Sequence, residues 1–369
     1  MNEAYLLADG LLDKGDYQST LRVCKDALSG DIADSLTRYA LQMLLASALS
    51  SLGQAEEACV LCSEVLLWAR SPSARRDYTP VQLANLCILA MLELLGLAIG
   101  YGEHTWTDFQ SAADEAEPLV SAHGGPDGIA TLLMLRGMAD PRGTIEPLQE
   151  AAAVRGVSDR VKVSIGMALT SKGGGQQAIE MLRLDPPDLP KPLRMARLMA
   201  LATELVESSP PQLTEALDYV RRAAREAAST DSPWFRIWAE TMHADIAMEC
   251  DARREALEAL ANTGDILLAE PDSLAGVREA IIGRLADIAS KSWQRGAKGA
   301  HSFSDAFFAI LRRLDTPHSQ KMIEWLEAEL PPAAREPAPL SPGAELGGLL
   351  SRAKDAVGSL LHYPRRKSS

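Results

Sequence analysis

The sequence predicts an all-α protein built from helical hairpins that stack side by side. Trp, Tyr and Phe make up only 5% of the chain, whereas all-β folds depend on aromatic and β-branched side chains. Ala, Leu, Arg and Glu, which favour helices, are abundant instead. A pattern of small, apolar and glycine residues recurs along the chain, and proline-containing breaks separate runs of helical length. These observations predict helices throughout and no sheet.

Composition limits the function classes. The 369 residues are 47% hydrophobic, which is enough for a sizeable core, and the formal net charge is −13. Broad affinity for nucleic acid is not expected, because phosphate binding needs a surplus of Lys and Arg. The five cysteines form no framework spacing, so we expect reduced thiols. The acidic N-terminus has no secretory signal pattern, and the predicted location is the cytoplasm.

The first helical hairpin supplies the repeat pattern. Its marker residues are Leu7, Ala8, Leu11, Gly15, Tyr17, Cys24, Ala27 and Leu28. Adding 38 gives Leu45, Ala46, Leu49, Gly53, Ala55, Cys62, Val65 and Leu66. Adding 158 gives a third copy around Gly166 and Gly173, and adding 236 gives a weaker fourth copy around Ala244 and Asp251.

Each part of this pattern has a physical role in a helical hairpin. Small residues such as Ala8 and Ala58 allow the two helices to approach closely. Gly15, Gly53 and Gly173 end the first helix, where a left-handed conformation costs glycine little. A single hairpin cannot bury its own apolar face, so neighbouring hairpins must stack.

This pattern resembles the tetratricopeptide repeat (TPR), a helix–turn–helix unit of 34 residues. The resemblance covers residues 1–30, 39–72, 159–188 and 237–271, and the units 79–123, 126–155, 190–230 and 273–316 share helical-hairpin periodicity. Several units are longer than in the family, and Ala4, Gln42, Lys162 and Glu240 replace its usual aromatic residue. The resemblance implies a right-handed superhelical solenoid of about eight stacked antiparallel hairpins.

The predicted organisation has three parts. Residues 1–330 form the solenoid, closed by a capping helix from His318 to Leu330, and residues 331–343 form a proline-rich linker. Residues 344–369 form an amphipathic helix with a basic tail, which could dock on its own solenoid, on a partner or, less favourably, on a membrane. The predicted docking face comprises Leu346, Leu349, Leu350, Val357, Leu360 and Leu361.

We found no motif that predicts catalysis, a cofactor or a metal ion. Cys59-x-x-Cys62 has no second ligand pair, so both residues are interpreted as core cysteines. Lys172-Gly173-Gly174-Gly175 lacks the order of a phosphate-binding loop and is interpreted as a turn. Trp234, Phe235 and Trp238 share a helical spacing typical of a core. A toroidal glycosidase remains the best enzyme alternative.

The resemblance also implies where a partner would bind. In the TPR family, defined positions on the first helix of each hairpin line a concave groove. The matching positions here are Tyr5, Asp9, Leu12, Met43, Ser47, Ser50, Arg160, Met167, Trp238, Asp245 and Met248.

The function predicted from the sequence is a non-catalytic adaptor or scaffold that binds a helix or peptide of a partner protein in this groove. One alternative is a sensor of peptides or small ligands that acts on a separate effector chain. The toroidal enzyme is a third possibility.

Overall fold

In the computed structural model, the described residues are 3–101, 106–139, 144–187, 189–269, 274–297 and 299–330. Within these ranges the secondary structure is entirely helical, as predicted. The helices are α1 (Glu3–Lys14), α2 (Tyr17–Ser29), α3 (Ser35–Ser51), α4 (Ala55–Ala69), α5 (Pro72–Asp77), α6 (Pro80–Tyr101), α7 (Trp106–His123), α8 (Gly125–Ala139), α9 (Glu146–Ala153), α10 (Asp159–Thr170), α11 (Gly175–Leu182), α12 (Lys191–Glu207), α13 (Leu213–Ala228), α14 (Pro233–Glu249), α15 (Arg253–Ala269), α16 (Ala275–Gln294), α17 (Ala300–Leu314) and α18 (Pro317–Glu329).

These boundaries follow the eight predicted units, although α3 and α14 each begin four residues before the unit that was predicted to contain them. Each unit contains two helices, from α1 and α2 in the first to α16 and α17 in the last. The predicted capping helix is α18, which begins with a capping box on Thr316. One short helix, α5, was not predicted. It follows the Ser71-Pro72 break, where the Ser71 hydroxyl accepts a hydrogen bond from the Ala74 N–H.

The predicted turn glycines have the expected backbone conformation. Gly15, Gly53 and Gly173 have φ angles of 77°, 85° and 75°. The weak fourth copy places Asp251 at the same position, and its φ is 56°. Lys172 and Gly173 lie in a turn, as predicted, and Gly175 is the first residue of α11.

The hydrogen bonds of these turns repeat at the same offsets as the sequence pattern. After Gly15, the N–H of Asp16 donates to the carbonyl of Leu11 at 3.1 Å. The equivalent bonds in the other three copies are Gln54 to Leu49, Gly174 to Leu169 and Ala252 to Ala247, at 2.9, 2.9 and 2.8 Å. This pairing across the left-handed residue ends a helix by satisfying its last carbonyls.

A fifth copy of the turn lies in a hairpin with a poor sequence match. Gly296, between α16 and α17, has a φ of 64°, and the N–H of Ala297 donates to the carbonyl of Ser292 at 2.9 Å. The same local geometry therefore ends the first helix of this unit as well.

Small residues lie where the paired helices meet. Ala8, Ala46 and Ala244 are fully buried on first helices, and Ala58, Ala178 and Ala256 are fully buried on second helices. Gly166 takes this role on α10, where an added Cβ would come 3.0 Å from the Leu182 and Met181 side chains of α11. The structure confirms the predicted close approach.

The chain divides into two compact units. Unit 1 comprises Met1–Glu204 and Thr230–Ser232, and unit 2 comprises Leu205–Ser229 and Pro233–Ser369. In unit 1, α1 to α4 pack in chain order, and the first helices α1, α3, α6, α8 and α10 contact one another in turn. In unit 2, α13, α14 and α15 pack in chain order, while α14 contacts α16 and α16 contacts α18.

The predicted core residues are buried, with the exception of Cys59, which is partly exposed. Trp234, Phe235 and Trp238 are each at most 8% exposed. None of the five cysteines, all within the described residues, forms a disulfide, and Cys62 is fully buried. Burial raises the pKa of the Cys24 thiol to about 12 and that of Cys62 well above its ordinary value.

The most apolar predicted helix is α6. Among the described helices, its segment Pro80–Leu97 is the one with the length and composition to cross a membrane, and 56% of this segment is buried inside the protein. The helix contacts α3, α4, α7 and α8.

The left-handed turn predicts opposite effects for two glycine substitutions on one hairpin. Gly15→Ala should destabilise the protein by at least about 1 kcal/mol, because its φ is unfavourable for alanine. The added Cβ would also lie 2.8 Å from Cγ2 of Thr230. The matched control is Gly10→Ala in α1, where a Cβ meets nothing within 4 Å. Urea unfolding should show that this control stabilises the protein by about 0.5–1 kcal/mol, and equal effects of both substitutions would contradict the interpretation.

We predict that a glycine in place of Asp251, in the fourth turn, stabilises the protein. Asp251→Gly should raise the free energy of unfolding by about 0.5 kcal/mol, because glycine removes the strain of φ 56° at some entropic cost. Asp114→Gly, at an exposed position within α7, is the control and should not stabilise. A lower midpoint for Asp251→Gly in thermal unfolding would show that the Asp251 side chain is needed at this turn.

Candidate partner groove in unit 1

Predicted groove residues from three hairpins come together in unit 1. We call this set, with one residue of a fourth hairpin, the groove cluster. It comprises Tyr5 and Asp9 of α1, Ser47 and Ser50 of α3, Glu93 of α6 and Arg160 of α10. All six residues are partly exposed.

Glu93 connects α3 to α6. The Ser47 hydroxyl donates to Oε2 of Glu93 at 2.6 Å, and Ser50 also forms a hydrogen bond with the Glu93 carboxylate. Ser47 and Ser50 lie three residues apart and therefore share one face of α3. Two neutral hydroxyl groups thus hold the carboxylate in position.

Arg160 is the basic residue of the groove cluster. Its charge acts on Tyr5 and Asp9 of α1 and on Glu93 of α6. Its Nε atom is buried, and in the described part of the chain it has no hydrogen-bond partner. Arg160 is the second residue of α10, and the N-cap of this helix is Ser158. The helix start therefore fixes the position of the Arg160 backbone.

Partial burial affects the titratable groups of the groove cluster. Burial is the largest cause of the raised pKa of both Asp9 and Glu93, and it outweighs the attraction of Arg160. A nearby carboxylate, Asp13, further raises the pKa of Asp9. Burial also raises the pKa of Tyr5. The surrounding protein partly desolvates Asp9 and Glu93. Both side chains are nevertheless partly exposed to solvent.

A surface depression adjoins the groove cluster. It has a volume of about 450 Å³ and includes Arg160 in its lining. The other lining residues are Ser158, Asp159, Asp185, Pro186 and Pro187. Asp185 forms an ion pair with Arg197 at 2.7 Å, and Asp159 forms one with Lys162 at 2.7 Å.

Four predicted groove residues are part of the core instead. Leu12 and Met43 of unit 1 are 7% and 6% exposed, and Trp238 and Met248 of unit 2 are 7% and 2% exposed. Trp238 packs against Trp234 with ring centroids 5.1 Å apart. Their burial contradicts the prediction that these side chains line a groove, because apolar side chains at the edge of a helix face turn toward the core. Met167 is partly exposed, as a groove residue would be.

The remaining predicted residue, Asp245, belongs to a separate polar cluster in unit 2. Its Oδ2 lies 4.0 Å from Nη2 of Arg284, and Asp287 lies 3.6 Å from Nη1 of the same guanidinium. The Arg284 side chain is 12% exposed, and burial lowers its pKa despite these carboxylates and Glu207.

Sequence reasoning missed Glu93 and Arg284 as members of these clusters. The available signal for Glu93 was a lone carboxylate in the most apolar helix of the chain, where an ionised side chain needs a specific reason. No comparable signal identified Arg284, because isolated basic residues on a helix are common.

Other predictions concern residues outside the described ranges. The linker 331–343 and the docking face on the tail lie there, so the position of Leu346, Leu349, Leu350, Val357, Leu360 and Leu361 is not described. Within the described ranges, no group of three or more His, Cys, Asp or Glu side chains is arranged to hold a metal ion.

No protein-family model matches the chain, and no curated protein matches it.

The desolvated Glu93 predicts a pH-dependent effect on stability. Burial raises the pKa of Glu93 in the folded state, so the folded protein binds this proton more tightly than the unfolded chain does. The stability gained from this protonation is present below the unfolded pKa and is lost as the pH rises through the folded pKa. Glu93→Gln should therefore raise the melting temperature at neutral pH, and the gain should disappear near pH 4. Melting curves from pH 4 to 8 measure this difference. Glu324→Gln, at an exposed position in the middle of α18, is the control and should leave the melting temperature nearly unchanged. A lower melting temperature of Glu93→Gln at neutral pH would mean that the contact with Arg160 outweighs burial.

Proposed function

We propose that this protein is a non-catalytic adaptor whose hairpins stack as a TPR-like solenoid and whose groove cluster binds a helix or peptide of a partner protein. The observation that carries the proposal is the convergence of Tyr5, Asp9, Ser47, Ser50 and Arg160, which the repeat pattern selected from three separate hairpins.

The packing order supports the stacking part of the proposal. From α1 to α10, successive first helices of unit 1 contact one another, which is the arrangement that a hairpin stack requires. The repeated turn at Gly15, Gly53, Gly173, Asp251 and Gly296 gives the hairpins a common local geometry.

The chemistry of the groove cluster supports recognition. It combines hydroxyl donors, carboxylate acceptors and a guanidinium on four helices, and a peptide backbone needs both donors and acceptors. Leu89, one turn before Glu93 on α6, is 41% exposed and adds an apolar contact on the same face.

The proposal predicts loss of binding when the groove cluster is altered. Full-length Tyr5→Ala and Arg160→Gln should each reduce recovery of a specific partner at least about fivefold, since central interface residues often contribute about 1–2 kcal/mol. Recovery is measured by quantitative mass spectrometry of proteins captured from lysate of the source cell.

The matched control for this experiment is Arg254→Gln, because the Arg254 side chain is 92% exposed and far from this unit in sequence. Circular dichroism checks that all variants are folded. Equal partner recovery by wild type, control and both groove variants would refute the proposal.

A second candidate function is the sensing of a small ligand by the depression beside Arg160. Its volume of about 450 Å³ lies within the usual range for small-molecule sites, roughly 300–1,000 Å³. A ligand that raises the melting temperature of wild type but not of Arg160→Gln would support sensing. The adaptor is favoured because the depression is shallow and open, whereas the groove cluster spans four helices.

A further inference from the structure

We propose that the C-terminal segment 344–361 packs on α18 of its own chain and completes a ninth helical hairpin. Trp325, an exposed aromatic residue of α18, is the centre of this docking surface. The proposal concerns unit 2 alone, and it is independent of the groove cluster and of the function proposed for it.

The contacts of α18 are those of a first helix. In unit 2 the first helices α14 and α16 contact each other, and α16 contacts α18 in the same way. Helix α18 also contacts α17, the second helix of the preceding hairpin, as α14 contacts α13. In the chain, α14 and α16 are each followed by the second helix of their hairpin, α15 and α17. The next helical pattern in the sequence after α18 is the segment 344–361, which therefore fits the place of a second helix.

One side of α18 is buried, and an apolar strip on another side is exposed. Leu326 and Ser319 are fully buried against the rest of unit 2. Trp325 is 43% exposed. Met322 and Ala328, three residues before and after it, lie on the same strip and are partly exposed and exposed. Terminal repeats of helical stacks normally carry a polar outer face, so this apolar strip favours a further helix that covers it.

The C-terminal segment has an apolar stripe that can cover Trp325. Its large apolar residues recur at spacings of three and four, which places them on one face of a helix. They are Leu346, Leu349, Leu350, Val357, Leu360 and Leu361. A helix of under about twenty residues is marginal alone in water, and Gly347, Gly348 and Gly358 weaken this one further. Burial of the stripe against α18 supplies the stabilisation that the segment needs.

Charge complementarity favours α18 as the docking surface. From residue 344 to the end of the chain, the basic side chains of Arg352, Lys354, Arg365, Arg366 and Lys367 outnumber the acidic ones of Glu345 and Asp355. At about 100° per residue, Lys354 borders the apolar stripe and Asp355 lies on the opposite face of the helix. The exposed charged residues of α18 are Lys321, Glu324, Glu327 and Glu329. A basic helix would therefore pack beside an acidic one.

The linker is long enough for the segment to return to α18. Residues 331–343 are thirteen in number and rich in proline. A chain of this composition spans about 3.1 Å per residue, or roughly 40 Å in total. Helix α18 has 13 residues and is therefore about 20 Å long. The segment can thus lie along the whole of α18 without a second molecule.

Hydrogen–deuterium exchange of the full-length protein, measured by mass spectrometry, tests the proposal. In wild type, the amides of residues 346–361 should exchange at least tenfold more slowly than in a synthetic peptide of the same residues. Trp325→Glu should remove most of this protection, because it places a charge at the centre of the docking surface. The matched control is Leu67→Glu, at a 66% exposed apolar position on α4 of unit 1, which should leave the protection unchanged. Unchanged exchange of α16 amides establishes that unit 2 is folded.

A second pair of variants alters the C-terminal segment and leaves α18 intact. Leu349→Glu/Leu360→Glu places two charges in the apolar stripe and should speed the exchange of α18 amides at least threefold. Ser351→Glu/Ser359→Glu adds the same two charges outside the stripe and should leave α18 as in wild type. Equal effects of both double variants on α18 would refute docking through the stripe.

Other outcomes would also overturn the proposal. Wild-type amides of residues 346–361 that exchange as fast as the free peptide would exclude docking. Protection that Trp325→Glu does not change would place the segment on another surface. Protection that increases with protein concentration would assign it to a second copy of the chain. If protection appears only with phosphatidylglycerol vesicles, the occupant is a membrane, and if it appears only with lysate of the source cell, the occupant is a partner protein.

Discussion

The left-handed residue that ends the first helix of a hairpin is the constraint on which the rest of the structure depends. With φ near 56–85° at four positions, from Gly15 to Asp251, the chain leaves the helix and its next N–H groups bond back to the final turn. The second helix then begins within a few residues and returns along the first. Small residues such as Ala8 can meet the facing helix because the turn places the two helices side by side. A right-handed residue here would continue the helix and separate these surfaces.

Contacts between successive first helices bring residues of different hairpins close together. Since α1, α3 and α6 contact in turn, side chains at similar positions of different hairpins become neighbours. Residues far apart in sequence, such as Asp9 and Arg160, can then interact. No single hairpin contains the groove cluster, which exists only because several hairpins pack together.

The sequence was sufficient for local features and less so for the groove. The turn at Gly15 and the buried Ala8 were predictable because both depend on the chemistry of one or two residues. Met43 and Ser47 lie four residues apart on α3, about 40° apart around the helix, yet Met43 is buried and Ser47 is accessible. A rule based on position places both residues in the groove, whereas the free energy of burying an apolar side chain separates them. The turn at Gly296 was not predicted, and Ser292 stands where three of the other four copies have leucine and the fourth has Ala247.

A carboxylate of unit 2, Glu255, has its pKa shifted in the opposite direction from that of Glu93 in the groove cluster. In unit 2, Glu255 lies 2.7 Å from Arg221, and this pairing lowers the pKa of Glu255 despite partial burial. The fold can therefore neutralise a carboxylate with its own side chains. At Glu93 burial prevails and raises the pKa, although Arg160 and two serines are within reach. An ionised group left in this state costs folding free energy, and such costs are concentrated where a protein binds other molecules. The difference between Glu255 and Glu93 is therefore the physical reason why we propose, and do not derive, binding in unit 1 at α1, α3, α6 and α10.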